Sequence, residues 1–331
     1  MDELAAMNVL DRRALLRGAL PALACIGGAQ PPARAQPPAL AEAWVTSQNG
    51  GSVSVVDLAT MKVAATISVA GKPAGVAISP DHKLVYVTAP DGKALVTLDA
   101  AARKELRRIP VGSGPLGIAV NPRSGAVYVA DWYEHKLFAV EPGGARITGA
   151  ISVGQSPSGV TVTPDGALVL TADRDSNAVS LIDSASATRL ATVAVGERPF
   201  GITLDPTGQW AFTANVGSDD VTVVDIAARK AIGRVPVGRR PYAVALAAGR
   251  GFVTDQYAGT VTVFGFGTLK PIATIEVGDH PEGIEADAEG RFVYVACWLD
   301  NVLVKIDTRT LAVVGKVAVG DGPRAFGRFL R

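Results

Sequence analysis

Gly159-Val160-Thr161-Val162-Thr163, Pro164-Asp165-Gly166, Ala167-Leu168-Val169-Leu170-Thr171 is the stretch that decides the fold. Its first five residues alternate apolar and polar side chains, as a half-buried strand requires. Pro164 presets φ and Gly166 supplies positive φ, so the middle triplet is a tight turn. The last five residues form the returning strand. Further out, a polar loop from Asp173 to Asn177 leads to a third strand-like segment, Ala178-Val179-Ser180-Leu181-Ile182-Asp183. A fourth runs from Arg189 to Val195 and ends at Gly196-Glu197-Arg198-Pro199. No segment of this unit carries helical apolar spacing.

The closing phrase, a valine, usually a glycine, two variable residues and a proline, recurs seven times. Its valines are Val69, Val111, Val153, Val195, Val237, Val277 and Val319, with gaps of 42, 42, 42, 42, 40 and 42 residues. A period of this size means stacked or radially arranged units. Four antiparallel strands per unit and seven units describe an all-β, seven-bladed β-propeller. The chain enters the repeat at Trp44-Val45-Thr46-Ser47, a second strand, and ends at Pro323–Leu330, a first strand. The C-terminal strand is therefore expected to complete the N-terminal blade and close the ring, removing exposed sheet edges. The single 40-residue gap falls in blade 6, where Ala247-Ala248-Gly249-Arg250 replaces a longer, Pro-containing turn.

Residues 1–35 stand outside the repeat and read as an export signal. Asp11-Arg12-Arg13-Ala14-Leu15-Leu16-Arg17 resembles a twin-arginine motif, Gly18 to Gly27 is a short apolar stretch, and Ala33-Arg34-Ala35 offers small residues for cleavage. Pro21 and the glycines make the apolar stretch too short and broken to span a bilayer. A lipid anchor at Cys25 is the rival reading, although Ala22-Leu23-Ala24 is a poor lipobox. Residues 36–331 then form one propeller domain, expected in the periplasm after Tat export, with no transmembrane segment. The chain has 32 Lys+Arg and 31 Asp+Glu; losing four arginines and three acids with the signal leaves 28 of each. A neutral surface argues against a dedicated nucleic-acid binder. Cys297 is then the only cysteine, so no intramolecular disulfide is expected.

Val85-Tyr86-Val87-Thr88, Val127-Tyr128-Val129-Ala130, Phe212-Thr213-Ala214-Asn215 and Val293-Tyr294-Val295-Ala296 resemble the Tyr-Val-Thr-Asn signature of YVTN-family β-propellers. Val55-Val56-Asp57, Leu181-Ile182-Asp183 and Val223-Val224-Asp225 add to the likeness, which covers about the whole of residues 36–331. Members of this family are often secreted or periplasmic. Relatives by architecture include subunits of quinoprotein amine dehydrogenases, the haem d1 domain of nitrite reductases, lactonases and a streptogramin lyase. The resemblance thus implies location and fold more than chemistry.

Positions shared by all repeats build the scaffold, so individuality lies where the repeats differ. The series Trp44, Tyr86, Tyr128, Leu170, Phe212, Phe252 and Tyr294 is read as packing between sheets. The acids Asp57, Asp99, Glu141, Asp183, Asp225 and Asp307 are read as turn caps, a series that Gly265 breaks in blade 6. The variable pair before each proline is expected on one face near the axis. It brings a basic sector of Arg198, Arg239 and Arg240 beside Phe200 and Tyr242, followed by the ionisable Asp279, His280 and Glu282. A solvated, salt-bridged rim is the plainer reading of these charges. The loops between second and third strands are expected on the same face. Asp131-Trp132-Tyr133-Glu134-His135 and Cys297-Trp298-Leu299-Asp300 stand out there. Aromatics on loops of a rigid scaffold suit recognition, while Trp132 and Trp298 could equally cap the blades.

Asp131, Asp173 and Asp255 share one strand-end position with Asn215. Three carboxylates converging on an axis could hold a hard cation, but turn hydrogen bonding is the expected use and no metal is predicted. The chain carries no Cys-x-x-Cys-His, His-Glu-x-x-His, P-loop or Gly-x-Ser-x-Gly motif, and no cofactor is expected. Acid–base chemistry is open to His280 with Glu282, or to His135 with Glu134, if those pairs meet. The leading expectation is a monomeric binding or accessory scaffold, taking a protein or small molecule at the upper face and serving a quinoprotein or haem redox system. The rival is a lactonase or lyase at the channel mouth. Single-stranded DNA binding is a third reading, disfavoured by the neutral charge.

Overall fold

The computed structural model describes residues 41–331; the export signal and Cys25 lie outside the described residues. Seven four-stranded antiparallel blades form the ring, and the described residues contain no α-helix. Blade 4 comprises Pro157–Val162, Leu168–Asp173, Ala178–Asp183 and Thr188–Ala194. Its outer hairpin shifts register between Leu181 and Ile182, and the same bulge recurs in every blade. Such bulges add twist, which lets the strands fan outward from the axis.

Blade 1 is assembled from both ends of the described chain. Glu42–Ser47, Ser52–Asp57 and Lys62–Ser68 form three of its strands. The fourth is the C-terminal segment: Trp44 N–H donates to the Phe329 carbonyl at 2.8 Å, Arg331 N–H to that of Glu42 at 2.8 Å, and Arg324 N–H to that of Thr46 at 2.8 Å. Phe326–Gly327 also pairs in parallel with the inner strand of blade 2, Gly75–Ile78. The expected closure is therefore present, and it ties the C-terminus to two blades.

The series from Trp44 to Tyr294, six aromatics and Leu170, is buried between sheets, each side chain packed into an apolar cluster. The aspartates at the ends of the third strands cap the outer turns, whereas Glu141 pairs with Arg146 across its turn. Asp57 accepts from the Thr60 N–H at 2.7 Å, and Asp183 from the Ser186 hydroxyl and N–H, both at 2.7 Å; these bonds hold both carboxyls below their usual range. In blade 6 the hairpin from Pro241–Ala247 to Arg250–Asp255 turns on Ala248 and Gly249, φ 47° and 71°. Two consecutive positive φ values make a two-residue mirror-image turn, which accounts for the residues missing from that repeat.

Candidate functional site at the axis and upper face

The axis is built by the residue after each proline and by the residue following that. Gly75, Gly117, Gly159, Gly201 and Gly283 lie where the carbonyl of the neighbouring inner strand approaches; a Cβ on Gly159 would stand 2.5 Å from the Phe200 oxygen. Only glycine allows so close a backbone approach. Side-chain hydroxyls hold carbonyls at the equivalent positions: Thr46 to Ala74, Thr88 to Leu116 and Thr254 to Glu282, at 2.7, 2.7 and 2.8 Å. The inner strands are thus drawn tightly together.

At this width the post-proline side chains fill the centre. Ala74, Leu116, Phe200, Tyr242 and Phe326 form one buried cluster, with Trp132 and Val216 packed against it. Phe200 lies 4.4 Å from Tyr242 and 5.0 Å from Phe326, ring centre to ring centre. Phe200 and Tyr242 were expected at an open channel mouth; they are instead buried in an aromatic plug. Burial of these large rings against one another is the reason, since each contributes about 1.5–3 kcal/mol of transfer free energy.

One sector of the plug is polar. Arg324 Nε donates to Glu282 Oε2 at 2.7 Å, and its Nη2 to the Tyr242 hydroxyl at 2.5 Å. Gln256 Nε2 donates to Glu282 Oε1 at 2.7 Å, and Arg240 Nε to Gln256 Oε1 at 2.7 Å. The side chain of Glu282 is 4% exposed and that of Arg324 18%. Burial opposes the charge on Arg324, but Tyr242 and Glu282 raise its pKa, so it stays a cation. Burial also pushes the Tyr242 phenol well above its usual value. The Arg240 guanidinium then lies 4.7 Å above the Tyr257 ring, and Tyr257, His280 and Trp298 follow one another at 5.5 and 6.4 Å.

The two loop sets share one face, as expected. Trp132, Arg174, Val216, Gln256 and Trp298 each donate a backbone N–H to the second variable residue before a proline: Gly114, Ser156, Arg198, Arg240 and His280. Side chains add ties between blades. The amides of Ser156, Arg198, Arg240 and Gly322 are held by His135 Nδ1, Asn177, Asp219 and Asn301, each 21 residues earlier. His135 is thus the histidine version of a blade-to-blade tie. Glu134 accepts from Ser113 and Lys136 rather than from His135. His280 Nδ1 meets Asp279 Oδ1 at 2.7 Å, while Glu282 is committed to Arg324 and Gln256. Neither proposed acid–base pair forms, because successive residues around the proline turn point to different partners.

The three aspartates do not converge. Asp131 accepts from Gly114, Tyr133 and Glu134 N–H; Asp173 from the Thr171 and Ser180 hydroxyls; Asp255 from those of Thr260 and Thr262. Each serves its own blade, and no group of three metal-ligating side chains occurs among the described residues. Burial raises Asp173 and lifts Asp255 to about 6. Cys297, expected beside Trp298 in the loop, closes the second strand of blade 7 at this same buried position, where desolvation pushes its thiol to about 12. It is not a reactive thiolate.

What the upper face presents is a set of aromatics and arginines around the plug. Tyr133 and Tyr257 are 69% and 52% exposed, Trp132 and Trp298 are half-buried, and Arg174 stacks over Trp132 at 5.3 Å. Arg198, Arg239 and Asp279 are exposed around them. Arg324, Gln256 and Tyr257 were not singled out from sequence. The signal for Arg324 was available: it and Glu282 are opposite charges on neighbouring post-proline positions.

The sequence matches no family model and no curated protein. Among solved structures, a functionally unknown protein from Desulfotomaculum acetoxidans superposes with a TM-score of 0.75 at 18% identity, over 86% of this chain and 99% of that one. Hydrazine synthase from Kuenenia stuttgartiensis gives 0.69 at 19% identity, over 77% of this chain and 89% of that one. The dihydro-heme d1 dehydrogenase NirN gives 0.61 at 15% identity, over 88% and 75%. No helix of the described residues is long and apolar enough to cross a membrane. At these identities the likeness establishes the fold: the chain is a seven-bladed β-propeller.

Proposed function

We propose that this protein is an exported, YVTN-type propeller of the periplasm that works as a binding or accessory scaffold, presenting its upper face to a protein partner. The observation that carries the reading is the contrast on that face. The axis is filled by packed aromatics, and His135 and Glu282 are taken up by structural bonds, so neither expected acid–base pair is assembled there. Around the plug, Tyr133, Tyr257, Trp132 and Trp298 stand in or near solvent beside arginines. Aromatic and arginine side chains are the residues that dominate binding energy at protein interfaces.

The partner is sought in a quinoprotein or haem redox system. Supporting this choice are the sequence resemblance and the fold shared with a dihydro-heme d1 dehydrogenase. Replacing Trp132, Trp298, Arg239 and Arg240 together is expected to abolish partner capture in a periplasmic pull-down, with folding of the variant checked by its circular dichroism spectrum. Capture that survives the four substitutions removes the upper face from consideration.

A further inference from the structure

Around the axis the ring is closed mostly by small or apolar side chains: Ala74, Leu116, Ser158, Phe200 and Tyr242. At the two remaining positions it carries Glu282 and Arg324. A buried ion pair is a poor way to close a ring, because desolvating both charges costs several kcal/mol and apolar replacements of similar volume often do as well or better. The pair therefore calls for a use beyond packing.

The hydrogen-bond inventory of this sector is lopsided. Both oxygens of Glu282 are taken, one by Arg324 and one by Gln256, and the Gln256 oxygen is taken by Arg240. Donors are left over. Arg240 uses only Nε in a side-chain bond, and Arg324 uses Nε and Nη2. Arg324 Nη1 makes no hydrogen bond among the described residues, and the Arg324 side chain is 18% exposed. Guanidinium groups offer their donors in a planar fork that matches a carboxylate or phosphate. The charges of Arg240, Arg324 and Glu282 sum to a single positive charge.

We propose that this sector binds a carboxylate at the mouth of the sealed axis, held by Arg240 and Arg324, with Glu282 and Gln256 fixing the two guanidiniums. The single net positive charge suits a monoanion. The carboxylate comes either from a free organic acid or from an acidic side chain of the partner, and in the second case the inference rests on the scaffold reading above. The Tyr257 ring, over which the Arg240 guanidinium lies, borders the site and gives an attached ring a surface to lie against.

The test is calorimetric titration of the purified protein with acetate, benzoate, a short peptide ending in Glu, and inorganic phosphate. One saturable site for the carboxylates, weaker for phosphate and weakened by salt, is expected. Arg240→Gln should weaken it by about ten-fold or more, the scale of a lost charge-assisted hydrogen bond. Arg324→Gln risks leaving Glu282 buried and unpaired, so Arg324→Lys, which keeps the charge and loses the fork, is the second variant and should also weaken binding. Tighter binding of the peptide than of benzoate identifies the partner source, and the reverse identifies a free acid. No saturable carboxylate binding, phosphate preferred over acetate, or an Arg240→Gln variant that binds unchanged overturns the proposal. Partner capture is scored separately: capture without carboxylate binding removes this inference alone, and carboxylate binding without capture removes the protein partner alone.

Discussion

Gly238 and Asp255 compete for one space: a Cβ built on the glycine would stand 2.5 Å from the Asp255 carboxyl carbon. The relationship repeats around the ring. Gly154 faces Asp173 at 2.6 Å, Gly196 faces Asn215 at 2.5 Å, and Gly320 faces Ser47 at 2.6 Å. In five of the phrases the glycine thus makes room for the side chain that ends the second strand, while Gly278 makes room for Asp300 in the following loop. The one phrase with alanine in its place, Ala70, belongs to the blade whose second strand ends in Ala89. Gly238 has ordinary backbone geometry, so the constraint is space rather than φ.

Gly238→Ala should therefore destabilise the protein by about 1–3 kcal/mol, the usual cost of overpacking. Gly238→Ala with Asp255→Ala should recover most of that loss, because it recreates the Ala70–Ala89 arrangement. Thermal denaturation of both single variants and the double variant measures the coupling. Strictly additive effects would contradict the shared-space account.

Asp255 also sets a pH dependence. Burial raises its folded pKa to about 6, above the ordinary aspartate value of 3.8. A raised folded pKa means the native state takes up the proton first, so this group adds stability as pH falls from about 7 toward 4. At neutral pH it instead costs up to about 3 kcal/mol as a buried anion. Asp255→Asn, which copies the Asn215 of the preceding blade, should raise the melting temperature at pH 8. The difference from wild type should shrink toward pH 4. A variant less stable than wild type at pH 8 would show that the charge is stabilising.

Removing residues 323–331 takes away the inner strand of blade 1 and its bonds to Glu42, Trp44 and Thr46. Phe329 leaves a fully buried site, a loss of about 3–5 kcal/mol by itself. Glu285, which accepts the Phe329 and Leu330 amides at 2.6 and 2.8 Å, is left buried without them. A sharp drop in the melting midpoint is expected by calorimetry. A truncated chain that melts like the full one would mean the ring holds without its closure.

The scaffold is legible in the sequence because it is written seven times: strand alternation, turns and the Val-Gly-x-x-Pro phrase recur at a fixed spacing. Shared faces followed too, since loops at equivalent repeat positions must emerge on the same side. What did not follow is how narrow the axis is. That depends on glycines such as Gly159 and Gly201, whose bare Cα atoms admit a neighbouring carbonyl. Without that width, Phe200 and Tyr242 read as rim residues rather than a plug, and Glu282 as a free acid rather than a partner of Arg324. His135 misled for a related reason. Its equivalents Asn177, Asp219 and Asn301 have different chemistry but the same task, and only the Nδ1 bond to Ser156 reveals it.

Recognition through the upper face is open to a direct measurement. A photo-crosslinking residue placed at Tyr133 or Tyr257 samples that face; one placed at Arg123 or Arg229 samples the opposite turns. With the full chain expressed in its native host, the account predicts a discrete adduct from Tyr133 and Tyr257 and none from Arg123 and Arg229. Adducts confined to the opposite face, or none from either, would contradict it.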